Sequence, residues 1–355
     1  MNQRLHVVVT GATGNLGTSV VEALSEDPRV ASITGIARRE PEWTRPKLTI
    51  ETLDLPKAGE DELDRIFTGA DVVIHLAWLF QPTRDPVRTW DVNVLGGLRV
   101  FDAVARCEVP ALLYASSVGA YSPGPKDRTV DEQWPTHGWP GAAYTREKAY
   151  LERVLDAFTR THPHIRVVRM RPAFVFKREA ASEQRRLFAG PLVPASLVRP
   201  GLVPVVPDVP GLTMQAVHSA DVGEAFRLAA LNPVRGAFNL AAEPVVDPKL
   251  IARLLGARTV PLPAVLARAA VTAAWKLHTV PASPGLFDAV LRLPLMDTTR
   301  ARTDLAWTAR YSAADALAEF LTGLREREGM ATPPLASSVP GGRLGELATG
   351  VGEKP

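Results

Sequence analysis

A single cysteine, Cys107, stands among 355 residues, so no intramolecular disulfide can form and a reducing, cytoplasmic location is expected. The seven histidines and that cysteine show no metal-ligand spacing, and no metal site is expected. Excess charge of one sign is also scarce. Forty-one basic and 38 acidic residues, spread along the chain, give a net +3 without a basic stripe, so nucleic acid is not an expected partner. The N-terminus lacks the basic start and long apolar core of a signal peptide. No apolar run approaches a membrane span, and no membrane partner is expected. The most apolar stretch, residues 261–280, is interrupted by Arg268, Lys276 and His278 and has Pro263 near its start. It reads as a short buried or cleft-lining helix. Internal repeats are absent as well.

What the sequence does contain is an alternating pattern. With 46% hydrophobic residues the chain can bury the core of one large domain, or of one with a smaller appendage. Strand-like runs at 6–10, 31–37, 48–51, 72–76, 111–116 and 166–170 are mostly separated by helix-compatible stretches, which implies parallel strands with crossover helices. The runs are apolar at both alternating positions, as strands covered on both faces require. The expected fold is therefore α/β, a Rossmann-like doubly wound parallel sheet over residues 1–172. After Pro172 prolines break the pattern. Residues 173–328 read mostly as a smaller C-terminal substrate lobe, with some segments returning to the sheet and loops over a cleft at 177–213. Residues 329–355, rich in Pro, Ser and Gly, read as a disordered tail.

The first strand-like run ends in "VVVTGATGNLG", residues 7–17. Gly11, Gly14 and Gly17 let the chain turn tightly, bring backbone N–H groups close to a pyrophosphate and pack the next helix against the sheet. The spacing is G-x-x-G-x-x-G, and glycines alone are also compatible with a turn that binds nothing. Further segments follow: "DL" at 54–55, "HLAW" at 75–78, "NVLGG" at 93–97, "YASSVGAY" at 114–121, "YTREK" at 144–148, "RP" at 171–172 and "VHSADV" at 217–222. In this order, over roughly residues 5–325, the chain resembles the extended short-chain dehydrogenase/reductases, in the NAD-dependent epimerase/dehydratase family.

That resemblance implies a Ser-Tyr-Lys site made of Ser117, Tyr144 and Lys148. Tyr144 and Lys148 lie at i and i+4, on one face of a helix, where an ammonium is expected to lower the phenol's pKa and make it a usable proton shuttle. Ser117 follows a strand-like run, at the edge where open α/β sheets collect ligands, and its hydroxyl could bond the substrate oxygen. By the same resemblance Ser116 sits closer to the cofactor, while Trp78, where the family often has a small residue, narrows the cleft or reaches toward the substrate. Tyr121, four residues on from Ser117, either lines the same mouth or has a core or surface role. Asn15 and Leu16 are implied to offer backbone contacts to phosphate. Asp54 would bond the adenine amino group with Leu55 beside the ring, Leu76 and Ala77 would border the adenosine half, and Asn93 would lie near the nicotinamide ribose.

The second strand departs from NAD-preferring relatives, which end it on an acid. Here Ala37 is followed by Arg38 and Arg39, which can clamp a 2′-phosphate, so NADP is the expected cofactor with NAD the alternative. Val118 and Gly119 replace the Asp-Glu pair of the dehydratase relatives. Arg171 stands where many sugar-nucleotide enzymes carry asparagine. Three readings remain: a reductase or dehydrogenase of a small-molecule carbonyl or alcohol, a nucleotide-sugar epimerase that retains NAD, and a non-catalytic NAD(P)-binding sensor or scaffold. A homodimer through the two long helices after strands four and five is usual among relatives. Asp221 or Ser219 is expected to cap a helix, Ser312 another, and Trp307 to pack.

Overall fold

The structure, a computed structural model, describes residues 4–191 and 201–338 together with 342 and 351. Its main sheet begins with β1 (Leu5–Thr10), followed by helix α1 (Asn15–Glu26), β2 (Val30–Ala37) and β3 (Leu48–Thr52). The chain then returns through α2 (Glu60–Phe67) to β4 (Val72–His75), on the other side of β1. Next come α3 (Pro86–Trp90), one π-helical turn at Asp91–Leu95, α4 (Gly96–Arg106) and β5 (Ala111–Ala115). A short strand β6 (Thr129–Val130), the long helix α5 (Ala143–Thr161) and β7 (Arg166–Pro172) complete the first half.

The seven strands run in the order β11-β7-β5-β4-β1-β2-β3, and every neighbouring pair is parallel. The order reverses between β1 and β4. A crevice therefore opens at their carboxyl ends, where ligands of open α/β sheets bind. Alternate side chains of each strand feed two cores. Val7, Val9, Ile33 and Ile74 pack with Val20 and Leu24 of α1, whereas Val8, Ile36 and Val73 pack with Phe67, Phe101 and Leu155 from α2, α4 and α5. Both faces are covered, which is why the strands carry no polar alternation.

The second half supplies the smaller lobe and the seventh strand. It contains β8 (Phe174–Phe176), α6 (Ala181–Gln184), β9 (Val205–Asp208), β10 (Met214–His218), α7 (Ser219–Leu231) and β11 (Gly236–Leu240). Then follow β12 (Ala242–Val246), α8 (Pro248–Leu255), β13 (Arg258–Pro261), α9 (Ala264–Lys276), α10 (Pro284–Val290), β14 (Leu295–Met296), α11 (Thr299–Asp304) and α12 (Ala313–Glu326). Strand β11 crosses back to pair with β7, so the lobe is an excursion from the sheet. Its own core joins Ala216, Leu250, Leu255, Leu317 and Leu321.

Local chemistry sets several boundaries. Asp85 and Asp247 cap α3 and α8, each just before a proline at the first helical position, and Ser312 with Asp315 forms a capping box at α12. Three expectations differ from the structure. His218, not Asp221 or Ser219, caps α7, accepting from the Ala220 N–H. The Asp221 carboxylate instead accepts the N–H groups of Arg310 and Tyr311, while its carbonyl receives the buried Trp307 indole. The apolar stretch at 261–280 forms α9, but only Ala267 of that helix is buried. Residues 329–338 are not a loose tail: Leu335 and Thr332 are buried, Ala331 accepts from the Trp43 N–H, and Arg186 donates to Pro334 and Ala336. Apart from residues 342 and 351, the rest of the expected tail, like 192–200 of the expected cleft loops, lies outside the described residues.

Candidate active site

The glycine turn is sterically committed. Gly11 has φ +71°, and a Cβ there would meet the Ala77 backbone at 2.8 Å; at Gly17 a Cβ would lie 2.1 Å from the Gly11 carbonyl oxygen. Helix α1 starts after Gly14 with no side-chain cap, leaving the first-turn amides of Asn15, Leu16 and Gly17 to a ligand or solvent. Asn15 Nδ2 bonds the Val175 carbonyl, while its buried Oδ1 has no partner. A pyrophosphate fits such a cradle, because it needs bare backbone N–H groups and the positive end of a helix.

Around the crevice, Thr10 ties β1 to β4: its hydroxyl meets His75 Nδ1 at 2.7 Å and the amides of Leu76 and Ala77 at 3.3 Å. Burial, and then the Lys148 charge, lowers the His75 pKa to about 3, so this imidazole is neutral. Arg38 and Arg39 are exposed beyond β2. Desolvation and the charges of Arg39 and Arg88 depress the Arg38 guanidinium, with Asp54 opposing them. The half-buried Asp54 lies 3.5 Å from Lys57, and Leu55 is packed in the core below.

Ser117, Tyr144 and Lys148 come together at the end of β5 and the start of α5. Ser117 Oγ accepts from the Gly119 N–H at 2.9 Å, and a Cβ on Gly119 would meet both Ser117 Oγ at 3.3 Å and Tyr144 Cε1 at 2.8 Å, so serine and tyrosine are neighbours. Burial pushes the Tyr144 pKa up to about 12; the neighbouring Ser117 hydroxyl pulls it down and the Glu147 carboxylate pushes it up again. Lys148 does not lower it, contrary to the sequence expectation. The Lys148 Nζ donates to the Ala115 carbonyl at 2.7 Å and lies 3.4 Å above the Trp78 ring, but 6.0 Å from the Tyr144 ring centroid. Burial drives its own pKa well below the usual value, against the attraction of Glu147 and Glu152.

Trp78 also meets Tyr144 edge-on at 5.7 Å, so it touches both. A cleft opens here, lined by Trp78, Leu79, Phe80, Tyr144, Glu147 and Leu286.

Three expected contacts are engaged elsewhere. Tyr121 is buried in the core, not at the mouth, donating to Asn239 Oδ1 at 2.6 Å and accepting from Arg171. Ser116 donates to Glu152 Oε1 at 2.6 Å; Glu152 is also held by Arg171 and Arg169. Arg171 thus closes a buried network beneath the serines. Asn93 spends its amide on protein: its Oδ1 accepts from Leu79 N–H, and its Nδ2 donates to Leu79 O and to Glu147 Oε2.

Sequence reasoning missed Glu147. Its carboxylate takes the Thr89 hydroxyl at 2.6 Å and Asn93 at 2.7 Å, fastening α5 to the loop that carries Trp78 and Phe80. Burial raises its pKa against those two bonds. A signal was present, because position 147 is three residues beyond Tyr144 and shares its helix face.

Sheet order and glycine turn together define a Rossmann-like α/β protein. Residues 7–241 match the NAD dependent epimerase/dehydratase family, and the chain belongs to that family. An L-arabinose 1-dehydrogenase (NAD(P)(+)) of Haloferax volcanii is 34% identical over 111 residues, 31% of this chain and 40% of that protein. The decarboxylating sterol-4-alpha-carboxylate 3-dehydrogenase of Saccharomyces cerevisiae is 25% identical over 68% of this chain and 66% of its own. The fold is similar to the UDP-glucose 4-epimerase of Thermus thermophilus solved with NAD, with a TM-score of 0.67 and 20% identity over 90% of this chain and 99% of that one.

Proposed function

We propose that the protein is an NADP-preferring reductase or dehydrogenase that interconverts a carbonyl and an alcohol at Ser117, Tyr144 and Lys148. The observation that carries this reading is the juxtaposition of Ser117 and Tyr144 against Gly119 at the sheet edge, with Tyr144 lining an apolar-walled cleft. When bound, the nicotinamide supplies a carbon that accepts or gives up hydride. Ser117 orients the substrate oxygen, and Tyr144 gives that oxygen a proton or takes one from it. Lys148, anchored by Ala115 and Trp78, is the group that would meet the nucleotide beside Tyr144. Trp78, Phe80 and Leu286 exclude water and favour an apolar substrate. The names of the yeast and archaeal relatives, both dehydrogenases of a hydroxyl-bearing substrate, support this class.

A second reading, an epimerase that retains NAD, is favoured by the likeness to UDP-glucose 4-epimerase structures. Denaturing freshly purified protein and weighing the released nucleotide separates the two. The expected result is protein with little bound nucleotide that then binds NADPH more tightly than NADH. Near-stoichiometric NAD would favour the epimerase.

The arginines can be tested on their own. An Arg38→Ala, Arg39→Ala double variant is expected to weaken NADPH by about tenfold or more, while NADH changes by less than about twofold, since only the 2′-phosphate is lost to them. Fluorescence titration with each nucleotide reads the ratio. Equal weakening of both would remove the basis for an NADP preference.

A further inference from the structure

Helix α9 is turned inside out. Along its outward face Val265, Leu266, Ala269, Ala270 and Ala273 are exposed, and Leu277 follows at the helix end; Val265 is 77%, Leu266 58% and Leu277 74% exposed. Residues 266, 270, 273 and 277 recur at helical spacing, so they form one stripe. The inward face holds Ala267 and rests on α10, where Arg268 pairs with Asp288 at 2.9 Å. An ordinary surface helix buries its apolar stripe, whereas α9 leaves it exposed beside the exposed Lys276.

The charge of this segment favours one kind of partner. From Pro248 to Phe287 the sequence has no Asp or Glu and five cations: Lys249, Arg253, Arg258, Arg268 and Lys276. Asp288, the acid that α10 brings to this helix, is held by Arg268. Lys276 is exposed at the end of the stripe, and exposed Val260 precedes the helix on β13. An exposed apolar stripe that ends at Lys276, on a helix that carries Arg268 and Lys276 and no acid, complements an anionic lipid surface.

We propose that α9 docks the protein on the surface of an anionic bilayer, with Val265, Leu266 and Leu277 entering the headgroup boundary. The inward side of α9 and the segment after it adjoin the cleft. Arg84 stacks 4.2 Å above the Trp275 ring, Thr83 bonds the Pro281 carbonyl at 2.8 Å, and Thr83, Ser283 and Leu286 line the cleft. Docking is peripheral, because no helix among the described residues is long and apolar enough to cross a membrane. The proposal goes beyond the reaction assigned above and does not depend on it.

The test is flotation of the full chain with vesicles of phosphatidylcholine alone and of phosphatidylcholine with phosphatidylglycerol. The wild-type protein is expected to float with the anionic vesicles only. The triple variant Val265→Ser, Leu266→Ser, Leu277→Ser should lose that fraction by about fivefold or more, and Lys276→Glu should also reduce it. All four positions are exposed, and unchanged nucleotide binding by the variants shows that they are folded. Wild-type protein that stays unbound with both vesicles, or a triple variant that floats like wild type, overturns the proposal. So does a dimer that the triple variant abolishes without any vesicle binding, which would assign the stripe to a second copy.

Discussion

The Tyr144→Phe variant is expected to bind NADPH within about twofold of the wild-type protein and to turn over a carbonyl substrate about a thousandfold more slowly. The ring keeps its contacts with Trp78 and Phe80, so the change removes one hydroxyl and leaves the cleft wall in place. Ser117 keeps the Gly119 amide, so the serine stays oriented. A pH profile adds a second check. With its pKa near 12, Tyr144 is a phenol throughout the neutral range and can donate its proton during reduction. Reduction should therefore be flat across neutral pH, whereas alcohol oxidation, which needs the phenolate, should rise with pH. Full activity in Tyr144→Phe, found with a panel of apolar aldehydes and ketones, would be fatal to the mechanism.

The largest expected effect on stability lies below the site. Arg171→Met is expected to cost about 3–5 kcal/mol at neutral pH, because it strips a buried carboxylate of its main partner. Glu152 is fully buried, and burial alone would raise its pKa; Arg171, Arg169 and the Ser116 hydroxyl hold it below the usual range, at about 2. A carboxyl depressed on folding stabilises the protein above its unfolded pKa, and that contribution is lost as the pH falls through the folded value. The wild-type advantage over Arg171→Met should thus narrow as the pH drops from about 4.3 toward the folded pKa. Urea midpoints at pH 7 and pH 3 measure it, and a pH-independent difference would show that the ion pair is not its source. Tyr121 and Glu132 also take bonds from Arg171, so their loosening adds to the cost.

How much of this was legible follows from how locally each feature is specified. Six parallel strands could be read from runs of apolar residues bounded by polar turns. The seventh, β11, could not, since its five residues lie beyond the lobe excursion and have meaning only beside β7. The glycine turn is readable because its requirement sits in its own backbone, with Gly17 facing Gly11. The placement of Ser117, Tyr144 and Lys148 at one edge follows from strand order and helix period. The roles of Ser116, Asn93 and Tyr121 were obscured because their partners lie 36, 54 and 118 residues away. A short polar motif does not say whether its side chain will face a ligand or a distant carboxylate. Helix α9 misled for a different reason: an apolar stripe has the same period whether the core covers it or not.

The Glu147–Asn93–Leu79 chain has a mechanical consequence. Leu79 is gripped at both its N–H and its carbonyl by one side chain, which is itself gripped by the helix that bears Tyr144 and Lys148. The aromatic wall and the proton-handling helix are thereby one lever. A molecule that wedges Phe80 outward strains the seat of Tyr144 in the same movement, so a poor fit at the wall is registered where the bond is made.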